Sequence, residues 1–189
     1  MQKGVWLAAL AFTASIASPA AFAQTESPAP TPAPAPAPSP APPKPTPCTG
    51  PEHRQFDFWV GDWNVNGPKG RQVGTNRIEK IMDGCVIQEN WAGQGNVKGT
   101  SFNVYDTTDK KWHQVWVDNQ GTLLLLEGEV KDGKMQMTGE TTNPKGQKVM
   151  HQITWEPQAG GQVRQHWLSS PDGGKTWNTA FDGVYNRKP

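Results

Sequence analysis

The chain has 189 residues, with 18 Lys and Arg against 17 Asp and Glu, for a formal net charge of +1. With no basic stripe and no cationic excess, the composition excludes nucleic acid and anionic membrane surfaces as expected partners. The chain contains two cysteines and no C-x-x-C pattern, so a redox or metal role for them is the weaker interpretation. The length fits one ordinary globular domain together with terminal segments.

Residues 1–23 have the features of a secretory signal peptide. Lys3 is the only charge, an apolar run covers residues 5–16, and Ala21-Phe22-Ala23 forms an A-x-A cleavage site. Ser, Thr and Pro interrupt the region, and the run is shorter than the roughly 20 apolar residues that span a bilayer. We therefore expect a mature chain that begins at Gln24, has no transmembrane segment, and is periplasmic or secreted.

Residues 24–47 consist almost entirely of Pro, Ala, Thr and Ser. This composition predicts an extended polyproline II linker, because the segment has too little apolar surface to form a core. A stalk that holds the domain away from a surface and a passive tail both fit. An oxidising compartment also predicts a disulfide between Cys48 and Cys85, near the start of the following domain.

Residues 48–189 show the pattern of an all-β domain. Turn signals such as Asp83-Gly84 and Asp132-Gly133 recur every eight to fourteen residues or so, and the segments between them alternate. In one such segment, Trp112, Gln114 and Trp116 share a face. About ten consecutive antiparallel strands are expected to close into an up-and-down barrel, which removes exposed edges. A two-sheet sandwich is the alternative.

The start and end of this domain resemble the calycin superfamily, which includes the lipocalins. Gly61-Asp62-Trp63 matches the G-x-W motif that opens lipocalin barrels, after a short helical turn at residues 56–59. The resemblance implies that Arg187, on the last strand, packs over Trp63. A closer likeness is to a bacterial secreted domain family of unknown function, and it covers nearly all of residues 53–189. It is carried by residues 56–63, 84–86, 112–118 and 172–177.

A more distant similarity is to the nitrobindin-type haem barrels, and the sequence departs from their pattern at two places. Their opening motif continues with glycines, where this chain has Asn64-Val65-Asn66. They bind haem iron through a His near the C-terminus, whereas the last His here is His166. We therefore expect no haem and no other cofactor. None of the four His has H-x-H or H-E-x-x-H spacing, so no metal ligand is assigned.

Several predicted strands place Trp on the same face as amides, hydroxyls or a carboxylate. Ligand pockets combine apolar walls with a few polar groups, so these mixed faces are interpreted as the wall of a cavity. A one-residue shift in register is the rival, and it would put Val115 and Val117 inside instead. The cavity candidates are Glu89, Trp91, Ser101, Asn103, Tyr105, Gln114, Trp116, Gln165 and Trp167.

The sequence predicts a barrel that binds a small, partly apolar ligand. There is no G-x-S-x-G motif and no complete catalytic constellation, so no catalytic residue is assigned and binding is favoured over catalysis. Two alternatives stay open. One is an enzyme on the same barrel with a buried Glu or His as acid–base group, and the other is a barrel filled by its own side chains. The sequence does not address the oligomeric state.

Overall fold

The computed structural model of the chain describes residues 47–189. The predicted signal peptide and residues 24–46 of the predicted linker lie outside this range. The described part is a closed barrel in which every strand pairs antiparallel with its sequence neighbours and β1 also pairs with β10. The predicted ten-stranded up-and-down barrel is thus confirmed.

The strands follow one another with short connections, as the Gly and Asp turn signals predict. Their bounds are β1 Gly61–Asn66, β2 Gln72–Ile81, β3 Val86–Gly93, β4 Lys98–Asp106, β5 Lys111–Asp118, β6 Leu123–Lys131, β7 Lys134–Thr142, β8 Lys148–Pro157, β9 Val163–Ser170 and β10 Asn178–Arg187. The helical elements are single 3₁₀ turns, at Pro51–Arg54, Asp57–Trp59, Met82–Gly84, Gln94–Asn96 and Ala159–Gly161. The turn at Asp57–Trp59 agrees with the short N-terminal helical turn predicted from the sequence.

One end of the barrel, here called the plugged end, is filled by the aromatic residues around the turn at Asp57–Trp59. Phe56 and Trp59 are fully buried and stack with ring centroids 4.9 Å apart. Phe56 also meets the rings of Trp112 at 5.7 Å and Trp155 at 5.3 Å. These rings close the end of the barrel that holds the β4–β5 and β8–β9 connections.

The first and last strands meet at Trp63, which is fully buried and paired in register with Arg187. The Trp63 indole Nε1 donates a hydrogen bond to the carbonyl oxygen of Trp59, at 2.9 Å. The Arg187 guanidinium carbon lies 4.4 Å from the centroid of the Trp63 ring, within cation–π range. These contacts fasten the plugging turn to the seam where the barrel closes.

The predicted disulfide is confirmed. Cys48 and Cys85 are bonded, which ties the beginning of the domain to the β2–β3 connection 37 residues later. The bond lies next to the plugged end and restricts the unfolded chain more than the folded one.

Candidate functional site

The other end of the barrel, here called the cavity end, contains a cavity of about 310 Å³. Its rim comes from the β3–β4 and β5–β6 connections, and its walls come from the inner faces of the strands. Its volume lies at the lower end of the usual range for small-molecule pockets. The lining residues are Glu89, Trp91, Val97, Gln114, Trp116, Asp118, Gln120, Thr122, Leu124, Ile153, Gln165, Trp167, Phe181 and Tyr185.

The structure brings six of the nine sequence candidates together around this cavity, namely Glu89, Trp91, Gln114, Trp116, Gln165 and Trp167. Ser101 and Asn103 are fully buried on the inner face of β4, where they hydrogen-bond to other polar groups, and neither lines the cavity. Tyr105 is placed elsewhere, because the inner face of β4 continues past the cavity to the plugged end. There its ring meets His53 edge-on at 5.3 Å.

The register of β5 decides which face lines the cavity. Gln114 is 3% exposed and faces inward, whereas Val115 and Val117 are 40% and 41% exposed on the outer surface. The rival register, with these valines inside, is therefore excluded. A β-strand alternates its side chains strictly, so placing Trp112 in the plugged end also places Gln114 and Trp116 inside.

Glu89 forms the polar centre of the cavity floor. One carboxylate oxygen, Oε1, accepts a hydrogen bond from Asn76 Nδ2 at 2.6 Å, and the other, Oε2, accepts one from Ser101 Oγ at 2.7 Å. The network continues behind it, because Asn103 Nδ2 donates to Ser101 Oγ and Gln114 Nε2 donates to Asn103 Oδ1. Every partner of the Glu89 carboxyl group in this network is neutral.

Burial without a cationic partner changes the acidity of Glu89. Desolvation raises its pKa from the usual 4.5 to about 7, although the hydrogen bonds from Asn76 and Ser101 act in the opposite direction. The carboxyl group thus changes its charge near neutral pH. It is the one lining residue placed to accept or release a proton there, while the amides beside it offer hydrogen bonds only.

Tyr185 and Gln165 extend the polar floor from β10 and β9. The Tyr185 hydroxyl donates to Gln165 Oε1 at 2.5 Å and accepts a hydrogen bond from Asn76 Nδ2 at 3.3 Å. Burial, together with the negative charge of Glu89, raises the pKa of Tyr185 well above its usual value. The phenol therefore stays protonated and serves as a fixed donor.

Indole rings form the cavity walls, and glycines make room for two of them. A Cβ added at Gly99 would lie 2.3 Å from ring atoms of Trp116, and one added at Gly74 would lie 2.5 Å from a ring atom of Trp91. Each indole therefore lies directly over a glycine of the barrel wall, in space that the side chain of any other residue at that position would occupy. This packing keeps the bulky rings away from the middle of the barrel, where the cavity lies.

The third indole is held in place by a histidine. The Trp167 indole Nε1 donates to His151 Nδ1 at 3.1 Å, and His151 Nε2 lies 2.8 Å from Thr141 Oγ1. Burial lowers the pKa of His151, so the ring is neutral. Since Nδ1 accepts from Trp167, the proton is assigned to Nε2. Both ring nitrogens are occupied, so His151 positions Trp167 and is not available as an acid–base group.

Sequence reasoning did not assign several residues of this site. Phe181 and Tyr185 line the cavity, and Asn76 supplies a hydrogen bond to Glu89. Alternation within β10 places Tyr185 inside, but a bulge between Thr179 and Phe181 breaks the simple period. Asn76 is an inward position of β2, like Gly74 and Ile78, but only the register of the closed barrel shows that its amide faces the carboxylate of Glu89 on β3.

The remaining histidines do not line the cavity. His113 is on the outer surface, where its Nε2 lies 2.8 Å from Asp109 Oδ2, and these two residues with Asp106 form an exposed group within the described range 47–189.

No helix within residues 47–189 is long and apolar enough to cross a membrane. Comparison with known proteins finds no family model that matches the chain and no curated protein that matches it.

Proposed function

We propose that this protein is an extracytoplasmic barrel that binds a small, partly apolar ligand in the cavity, without covalent chemistry. The observation that carries the proposal is the cavity itself, about 310 Å³ in volume and lined by indole rings above a buried polar floor. Aromatic walls with a few placed polar groups are typical of small-molecule sites. The disulfide supports an oxidising location, in agreement with the predicted signal peptide.

The two ends of the barrel differ in how completely side chains fill them. The plugged end is filled by Phe56, Trp59, Trp112 and Trp155, all buried, and it supplies the stability of a solid core. The cavity end leaves Trp91, Trp116 and Trp167 only partly buried against that core. Large aromatic side chains that are not fully packed have apolar surface to offer to a ligand.

A titration with a neutral apolar probe, N-phenylnaphthylamine, tests the proposal. Probe fluorescence should rise saturably, with energy transfer from tryptophan. Trp116→Ala should weaken binding by about 3- to 10-fold, since one aromatic contact is lost. Trp177→Ala is the matched control, because Trp177 lies on the β9–β10 hairpin, 37% exposed, and does not line the cavity.

The proposal fails if the wild-type protein binds neither this probe nor a smaller single-ring aromatic probe saturably. It also fails if both tryptophan variants weaken binding equally, because the probe would then bind outside the cavity. Circular dichroism of each variant, recorded under the titration conditions, separates lost binding from lost folding.

A further inference from the structure

The cavity is acidic and contains no positive charge. Among the described residues 47–189, its lining includes two carboxylates, Glu89 at the floor and Asp118 at the rim, and no Lys, Arg or His. Burial raises the pKa of Asp118, but hydrogen bonds from the backbone N–H groups of Thr122 and Gln120 outweigh it and leave the pKa below its usual value. Tyr185 stays protonated and adds no negative charge of its own, and no described residue of the lining carries a positive charge to balance the two carboxylates.

The floor also has more hydrogen-bond acceptors than donors. A carboxylate has about four acceptor positions, and Glu89 uses one on each oxygen, for Asn76 and Ser101. The amide oxygen of Asn76 is buried beside it and has no hydrogen-bond partner among the described residues. A ligand group that supplies several N–H donors would occupy the open acceptor positions of Glu89, and an ammonium group supplies three.

The walls suit the same kind of ligand. Trp91, Trp116, Trp167 and Phe181 surround the cavity. Their ring faces carry partial negative charge and attract cations within about 6 Å. The edges of the same rings accommodate an apolar body. The acidic floor, the acidic rim and the aromatic walls therefore all favour a positively charged ligand.

We propose that the ligand of this cavity is a small organic amine, bound as its cation, with the ammonium group on Glu89 and its apolar part between the indole rings. This inference rests on the proposed function and names the class of ligand. A cavity of about 310 Å³ lies at the lower end of the range for small-molecule pockets, so it suits a compact amine with an apolar body, such as a ring with a short aminoalkyl chain.

Three probes of nearly equal shape test the charge preference by calorimetry. They are phenylethylamine, phenylethanol and phenylpropanoate, which present a cation, a neutral group and an anion on the same aromatic body. We expect the amine to bind about tenfold or more tightly than the alcohol, and the anion to bind most weakly.

The variant Glu89→Gln identifies the residue responsible. Gln is nearly isosteric and keeps an acceptor for one of the two donors. Affinity for the amine should fall about 10- to 100-fold, as expected for a lost charge-assisted hydrogen bond, while affinity for the alcohol stays within about twofold. Glu127→Gln is the matched control, because Glu127 is exposed on β6 and forms an ion pair with Lys111.

The pH dependence gives a second measurement that needs no variant. Amine affinity in the wild-type protein should rise between about pH 6 and pH 8, as Glu89 becomes ionised, while alcohol affinity stays flat. Asp118 is already ionised over this range and Tyr185 is neutral, because the pKa of Asp118 is lowered and that of Tyr185 is raised. Their charges therefore do not change with pH there.

The outcomes separate the two proposals. If phenylethanol binds as tightly as phenylethylamine, or if Glu89→Gln affects both equally, the amine inference is overturned and cavity binding stands. If N-phenylnaphthylamine binds but none of the three charge probes does, the inference also fails by itself. If no probe binds saturably, both proposals fail. Should Glu89→Gln not fold, the probe series and its pH dependence in the wild-type protein decide.

Discussion

The buried carboxyl group of Glu89 should make the stability of this protein depend on pH in an unusual direction. Most carboxylates in folded proteins stabilise the native state when ionised, so stability falls on acidification. Glu89 is 5% exposed and has only neutral partners, and its pKa is raised to about 7. The folded protein therefore holds this proton to higher pH than the unfolded chain does, and the Glu89 contribution to stability falls as pH rises.

The size of the effect follows from the two pKa values. A pKa of 4.5 in the unfolded chain and about 7 in the folded protein corresponds to a total of about 3 to 4 kcal/mol, at roughly 1.4 kcal/mol per pKa unit. Stability from this group is fully present below pH 4.5, declines between the two values, and is lost once pH passes about 7. Between about pH 5 and pH 8, the loss amounts to roughly 2 to 3 kcal/mol.

Urea denaturation of the wild-type protein and Glu89→Gln at both pH values measures this contribution. The variant has no proton to lose at this position, so its unfolding free energy relative to wild type should rise by roughly 2 to 3 kcal/mol from pH 5 to pH 8. Glu127→Gln, which changes an exposed carboxylate, should show no such rise. A constant difference between wild type and Glu89→Gln across this range would falsify the burial of an unpaired carboxyl group in the cavity floor.

Two further predictions concern the plugged end. Trp63→Ala removes a fully buried ring that contacts Arg187 and should lower the unfolding free energy by about 3–5 kcal/mol, whereas Trp177→Ala, on an exposed hairpin, should lower it far less. Equal denaturation midpoints for the two variants would contradict this assignment of the barrel seam. Replacing Cys48 and Cys85 together by Ser opens a loop closed across 37 residues, which should cost about 4 kcal/mol in the same assay. An unchanged midpoint would mean that the bond does not constrain the unfolded chain.

Part of the site follows from the sequence by alternation alone. Once Trp112 and Gln114 are placed on one face, Trp116 must share it, and the same holds for Gln165 and Trp167. Alternation does not say how far along a strand the cavity extends. It therefore groups Tyr105 with Asn103, although the structure puts Tyr105 beyond the cavity, against His53 at the plugged end.

The acid centre of the site could not be read from the sequence in the same way. Glu89 is recognisable as a polar residue on a mixed face, but its acidity depends on what surrounds it. Asn76 lies 13 positions away on β2 and Ser101 lies 12 positions away on β4, and the two reach Glu89 only because both strands flank β3. The absence of a cation from the lining is equally a property of the closed barrel.

The sequence by itself determined the approximate number and order of strands, the disulfide partners and which residues of β5 share a face, but it left open which of the two faces of β5 points inward. These features depend on local rules: turn residues that favour positive φ angles, strict alternation along a strand, and a single pair of cysteines. Only the tertiary structure decided where the barrel is solid and where it is open. That division depends on the turn at Asp57–Trp59 filling one end and on indoles lying over Gly74 and Gly99 at the other. Both are packing relations between distant strands, and no local pattern in the chain specifies them.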